Sequence, residues 1–117
     1  MLRKLQNYLR AYRKQYGLSQ KEVAFLLGVK ASVKVSQYEM FQRVPSLETA
    51  LALQAIFGVP VAELFAGIYE KVEKEISNRA KILDSKLQND PAGQTTSRKI
   101  ELLRAIAITP YINEENP

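Results

Sequence analysis

The sequence contains no cysteine, no histidine and no tryptophan among its 117 residues. The absence of cysteine excludes disulfides, thiolate zinc sites and cysteine nucleophiles. The absence of histidine removes the side chain most often used for acid–base catalysis and metal ligation near neutral pH. We therefore expect no metal, no cofactor and no catalytic step, and predict that the protein is not an enzyme.

A long apolar run is also missing. No stretch approaches the ~20 apolar residues that a membrane-spanning helix requires. The beginning of the sequence, MLRKLQNYLRAYRK, is too polar to contain the apolar segment of a signal peptide. Hydrophobic residues make up 46% of the chain and charged residues 25%, which are ordinary values for a globular protein. These features predict a soluble cytoplasmic protein that does not enter a membrane.

The positive charge is concentrated in the first half of the chain. The net charge is +5, but residues 1–60 carry nine Lys and Arg against three Glu, a net charge of +6. Residues 61–117 carry eight basic and nine acidic residues, a net charge of −1. A basic region beside a near-neutral one is typical of a protein that binds a polyanion such as nucleic acid. Charge alone is equally compatible with a lysine-rich solvated surface.

The spacing of apolar residues predicts an all-α fold with five short helices in residues 1–67. The first predicted helix carries an apolar stripe from Leu5 to Tyr16, and the third runs from Ser32 to about Met40. Pro60 suits the first position of the fifth helix. Capping or helix-breaking residues mark the joints: Gly17, Ser19–Glu22, Gly28, Pro45–Ser46 and Gly58–Pro60.

The second half of the chain has a different pattern. Apolar residues recur every three or four positions at Ile68, Val72, Ile76, Ala80, Leu83 and Leu87. This spacing predicts one long amphipathic helix, followed by a loop at residues 89–94 and a short helix at about 97–108. We therefore divide the chain into a domain at 1–67, a helical extension at 68–112 and a frayed tail at 113–117.

The second and third predicted helices form a helix-turn-helix pattern, because a short capped helix meets the next one across a glycine turn in a basic context. The motifs are GLSQKEVA (17–24), LGV (27–29), VSQYE (35–39), PSLETA (45–50), GVP (58–60) and ELF (63–65). In this order they resemble the XRE, or lambda-repressor-like, family of DNA-binding domains. The resemblance covers residues 9–65. It implies a five-helix domain that binds double-stranded DNA, in a transcriptional regulator that we expect to be a dimeric repressor.

Two features depart from the family pattern. Between Gly28 and Glu39 the chain has one residue more than the usual spacing, so we expect a longer turn around residues 30–31. Met40 and Phe41 stand where the family often has Asn-Gly, which predicts a different loop after the third helix.

The third predicted helix supplies the candidate base contacts. Val35 and Tyr38 point toward the core, which leaves five outward residues: Ser32, Val33, Lys34, Ser36 and Gln37. A glutamine can pair with adenine, a lysine with guanine, and a valine can contact a thymine methyl group. The alternatives are exposed residues without a function and, for Lys34, a phosphate contact.

Candidate contacts to the DNA backbone lie around this helix. Gln20 opens the second helix, where unpaired N–H groups and the helix dipole favour a phosphate. The other candidates are Arg13, Lys21, Lys30, Gln42 and Arg43. The resemblance further implies that Arg13 and Glu39 form an internal ion pair that fixes the arginine for a phosphate contact.

The apolar stripe of the long helix has two interpretations. It can fold back and extend the core, or it can form a homodimer interface through Ile68, Val72, Ile76, Leu83 and Leu87. Dimerisation would let two recognition helices read two half-sites. The alternative function is an antitoxin-like protein, whose C-terminal helices neutralise a protein partner while the helix-turn-helix represses its own operon.

Overall fold

The computed structural model describes residues 5–89 and 97–108, and within these ranges the chain is entirely helical. The seven helices are α1 (Leu9–Gln15), α2 (Gln20–Leu27), α3 (Val33–Glu39), α4 (Leu47–Phe57), α5 (Val61–Leu64), α6 (Ala66–Gln88) and α7 (Ser97–Ala107). The predicted all-α class, with five short helices followed by a long one and a short one, is confirmed. Most of the predicted loop, at 90–94, and the predicted tail at 113–117 lie outside the described residues.

The chain divides into two compact units, residues 1–69 and residues 70–117. Helix α6 begins in the first unit, and its residues from Glu70 onward belong to the second. The domain boundary expected from the sequence, after residue 67, lies two residues before this division.

The first unit, which we call unit 1, is built around one apolar core. Leu53 and Leu64 are 2% and 0% exposed and lie at its centre. The other buried members are Leu9, Val23, Ala24, Val35, Tyr38, Ala50, Phe57 and Phe65. Each of the first five helices contributes to this set. Because burial of apolar side chains is favourable, the packing of α3 against this shared core fixes its position.

Local capping interactions define the helix-turn-helix. The Ser19 hydroxyl accepts the Glu22 N–H at 3.0 Å, and the Glu22 carboxylate accepts the Ser19 N–H at 2.8 Å, which completes the predicted capping box. Helix α2 ends at Gly28, whose φ of +77° is a left-handed conformation that glycine adopts without steric cost. Residues 28–32 then connect α2 to α3.

The first helix begins later than the apolar stripe predicts. Leu5 lies outside α1 and is 51% exposed. The buried Asn7 side chain, just before the helix, donates to the Tyr38 carbonyl at 2.9 Å and accepts the N–H of Leu9, the first residue of α1, at 3.1 Å. The extension of the first helix to Leu5 was therefore wrong. Pro60 also sits one position earlier than predicted, as the cap before α5.

The second unit, which we call unit 2, contains α6 from Glu70 onward and α7, packed as an antiparallel pair. The Ser77 hydroxyl donates to the Ala107 carbonyl at 3.1 Å, and Arg104 Nε lies 3.8 Å from Asp84 Oδ2. Only Ser77, Ala80 and Leu103 are buried among the described residues of this unit. The two helices thus bury little apolar surface between them.

Candidate nucleic-acid interface

A buried ion pair links α1 to the end of α3. The Glu39 side chain is only 2% exposed and that of Arg13 only 12%. Arg13 Nε lies 2.5 Å from Glu39 Oε2, and Arg13 Nη2 lies 3.0 Å from Glu39 Oε1. This two-point geometry matches the planar guanidinium to the carboxylate and keeps both charges compensated away from water. The structure brings together the two residues that the resemblance pairs.

The same carboxylate also holds the start of α2. Gln20 Nε2 donates to Glu39 Oε1 at 3.1 Å, and Arg13 Nη1 donates to the Leu18 carbonyl at 2.9 Å. The hydrogen bonds that Arg13 donates to the Glu39 carboxylate hold the pKa of Arg13 above its ordinary value, against the opposing effect of burial. Glu39 therefore joins α1, α2 and α3, and fixes the two helices of the helix-turn-helix relative to each other.

The first turn of α2 presents backbone donors. The first N–H groups of an α-helix have no acceptor within the helix. The Ser19 hydroxyl accepts from Glu22 and not from Gln20 or Lys21. The N–H groups of Gln20 and Lys21 lie at the start of the helix, and the Lys21 side chain is exposed. Backbone donors, the helix dipole and a positive charge together favour the binding of an anion.

The outward face of α3 carries the five residues that the sequence nominates for base contacts. Val33 is 58% exposed and Lys34 is also exposed, whereas Ser32, Ser36 and Gln37 are half-buried. Val35 and Tyr38 are buried in the core, as the spacing predicts. Since an α-helix is ~10–12 Å wide with its side chains and the major groove ~12 Å, the outward face of α3 has the size to enter the groove.

The candidate backbone contacts differ in accessibility. Lys21, Lys30, Gln42 and Arg43 are all exposed. The Arg13 side chain is only 12% exposed, and each of its three nitrogens donates a hydrogen bond within unit 1. A guanidinium has five N–H groups, so two of its N–H groups remain for a phosphate.

Sequence reasoning missed two residues of this region. Asn7 fixes the end of α3 through the Tyr38 carbonyl, a contact across 31 positions that no local pattern signals. Phe41 follows α3 in a left-handed conformation with φ of +64°, the one non-glycine residue with positive φ in the described part of the chain. The sequence predicts a different loop here because Met40–Phe41 replaces Asn-Gly. That prediction was wrong about the backbone, because Phe41 adopts the left-handed conformation that glycine usually occupies after a helix.

The predicted interface residues separate into two groups. Ile68 packs against the core of unit 1, and Leu87 is half-buried. Val72, Ile76 and Leu83 are 46%, 44% and 45% exposed. The apolar stripe therefore contributes one residue to the core and keeps an accessible section on α6.

Neither a metal site nor a membrane span is found in the described residues. No three Asp or Glu side chains group there as metal ligands, and no helix is long and apolar enough to cross a bilayer.

Comparison with known proteins also identifies a helix-turn-helix in this part of the chain. Residues 9–64 match the helix-turn-helix family model. The chain is similar to the cryptic phage CTXphi transcriptional repressor RstR of Vibrio cholerae, with 30% identity over 77 residues that span 66% of this chain and 68% of the relative. No solved structure matches the chain at a significant level. The chain belongs to the XRE-type helix-turn-helix family and is a DNA-binding transcriptional regulator.

Proposed function

We propose that the protein is a transcriptional repressor that binds double-stranded DNA as a homodimer and reads the major groove with α3. The observation that carries this proposal is the Glu39 network. It ties the start of α2 to the end of α3 while the outward face of α3 stays accessible. Repression is the activity named for the Vibrio cholerae relative, and the similarity to that protein supports the same role here.

Two groups of residues have different tasks in this proposal. Ser32, Val33, Lys34, Ser36 and Gln37 contact bases and determine the sequence preference. Gln20, Lys21, Lys30, Gln42 and Arg43 hold the DNA backbone, whereas Arg13 mainly positions Gln20 through Glu39. The net charge of +6 in residues 1–60 favours the approach of this half to DNA.

Three matched alanine variants separate these tasks. Gln37→Ala removes a base contact, Lys21→Ala removes a backbone charge, and Lys81→Ala removes the same charge from an exposed position in unit 2. Binding is measured by fluorescence anisotropy over a range of salt, on a duplex selected for tight binding and on a scrambled one.

The variants have distinct expected results. Gln37→Ala weakens binding to the selected duplex by about 5- to 100-fold, the effect expected from losing one bidentate contact between a side chain and a base. Its affinity for the scrambled duplex is unchanged. Lys21→Ala weakens both equally and lowers the salt slope by about 0.9. Lys81→Ala changes neither. An equal loss on both duplexes for Gln37→Ala would contradict base reading by α3.

The exposed section of α6 supports a second copy as the partner. Val72, Ile76 and Leu83 are 44–46% exposed and fall within about 40° of one another around the helix. A pair of helices that buries only three residues lacks a core of its own, and two such pairs complete one in a four-helix arrangement. The net charge of −1 in residues 61–117 means that little repulsion opposes self-association.

Sedimentation equilibrium tests this interface with a matched pair of variants. Ile76→Glu places a charge in the exposed stripe, whereas Lys81→Glu changes the charge on the opposite side of the same helix. We expect the wild type and Lys81→Glu to be dimers and Ile76→Glu to be a folded monomer that binds one half-site weakly. A dimeric Ile76→Glu variant would exclude this stripe as the interface.

A further inference from the structure

Three helices of unit 1 end in the same hydrogen-bonded motif, but one of them lacks glycine. After α3, the Gln42 N–H donates to the Gln37 carbonyl at 2.9 Å and the Phe41 N–H to the Tyr38 carbonyl at 3.1 Å. This pair of bonds is a Schellman motif, whose left-handed position is here occupied by Phe41. The equivalent positions after α1 and α2 are Gly17 and Gly28, with φ of +69° and +77°.

A phenylalanine is unfavourable at this backbone position. The left-handed conformation brings the Cβ of an L-residue close to the backbone, and only glycine adopts it without that cost. Strained residues of this kind persist only where the surrounding structure holds them, and they cluster at functional sites. The conformation of Phe41 therefore points to a function for its side chain.

Core packing does not account fully for the ring. Phe41 is 45% exposed, and it is not a member of the buried core. Its neighbours Met40, Gln42 and Arg43 are also exposed, and Met40 is 59% accessible. Much of the ring surface is thus open to a ligand, directly beside two candidate backbone contacts at the end of α3.

We infer that Phe41 is a DNA-contacting residue whose ring packs against the deoxyribose of the DNA backbone at the edge of the groove that α3 reads. This inference rests on the proposed DNA-binding function. When α3 lies in the major groove, its following loop meets the sugar–phosphate backbone. There an apolar ring can cover a sugar while Gln42 and Arg43 donate to phosphates. The contact adds affinity and orients α3, without carrying a charge.

Three substitutions separate the ring from its backbone conformation. Phe41→Ala removes the ring and keeps the conformational strain, Phe41→Gly removes both, and Phe41→Tyr keeps the ring. Because glycine tolerates the left-handed conformation, Phe41→Gly should melt a few degrees above Phe41→Ala, which checks the backbone assignment. Circular dichroism establishes that each full-length variant is folded.

Affinity for the selected duplex is then measured over a range of salt. We expect Phe41→Ala and Phe41→Gly to lose about fivefold in affinity with the salt slope unchanged, because an apolar contact releases no counterion. Phe41→Tyr should retain wild-type affinity. As a comparison, Arg43→Ala should lower the salt slope.

The outcomes distinguish failure of this inference from failure of the proposed function. Wild-type affinity in a folded Phe41→Gly variant would overturn the ring contact while leaving DNA binding intact. A reduced salt slope in that variant would overturn it as well, because the loop would then act through charged groups. If the wild type bound no duplex, both the proposed function and this inference would fail.

Discussion

Breaking the Arg13–Glu39 pair from one side should cost far more stability than replacing both residues. The carboxylate is 2% exposed and the guanidinium side chain 12%, so removal of either partner leaves a charge with little access to water. Such a loss typically costs ~3–5 kcal/mol, whereas exchange of a whole buried pair for apolar residues is often close to neutral. The stability of a unit of this size is itself only ~3–10 kcal/mol.

The corresponding variants are Arg13→Met, Glu39→Leu and the double substitution, compared by urea denaturation. We expect each single variant to lose ~3–5 kcal/mol and the double variant to lie within ~1–2 kcal/mol of the wild type. If a single variant is largely unfolded without urea, the substitution has cost at least the whole free energy of unfolding of unit 1. Arg10→Met, on the exposed side of the same helix, is the control and should change stability by less than ~0.5 kcal/mol.

DNA affinity is a second property to measure in the same set of Arg13 and Glu39 variants. The double variant keeps the fold but removes the acceptor that holds the Gln20 amide. We therefore expect it to bind the selected duplex more weakly than the wild type while remaining folded. Single variants that each cost less than ~1 kcal/mol would refute the description of the pair as two buried, mutually compensated charges.

Three further predictions concern the fold and its dependence on pH. Gly67→Ala should destabilise unit 1, because the added Cβ would lie 2.7 Å from the Leu5 carbonyl carbon; thermal unfolding checks this, and an unchanged melting temperature would contradict the close approach. Ser19→Ala removes the cap of α2 and should cost ~1 kcal/mol in urea denaturation, with a negligible loss arguing against the capping box. The raised pKa of Arg13 means that the pair stabilises the fold fully below the unfolded-state pKa of arginine, and that this contribution is lost only as the pH rises through the higher folded-state pKa. The stability difference between the wild type and the double variant should therefore be constant across neutral pH, and a change there would point to another titrating group.

The helices of the first half were predictable because their ends depend on local chemistry. The Ser19 box and the glycines at 17 and 28 act through neighbouring backbone atoms, so the sequence carries their signal directly. The ion pair between Arg13 and Glu39 had a different source. It joins residues 26 positions apart and was expected only from the family resemblance.

The errors and omissions came from contacts between distant residues. The helical spacing of apolar residues begins at Leu5, but α1 begins at Leu9, after the Asn7 side chain that bonds to the distant Tyr38 carbonyl. Ser77 is a polar residue that is only 1% exposed. Its burial is compensated because its hydroxyl donates to the Ala107 carbonyl, 30 positions away. The left-handed conformation of Phe41 had no sequence signal, since glycine is the residue expected there.

The most direct test of the central claim is selection of bound duplexes from a random pool by the full-length protein. If the protein is a dimer that reads the major groove, the selected sequences should share an inverted repeat. Its half-sites should be centred about one helical turn, ~34–36 Å, or a multiple of it apart. Loss of Gln37 should then relax the preference at one position in each half-site. A pool that shows no enrichment after repeated rounds at low and moderate salt would contradict sequence-specific DNA binding.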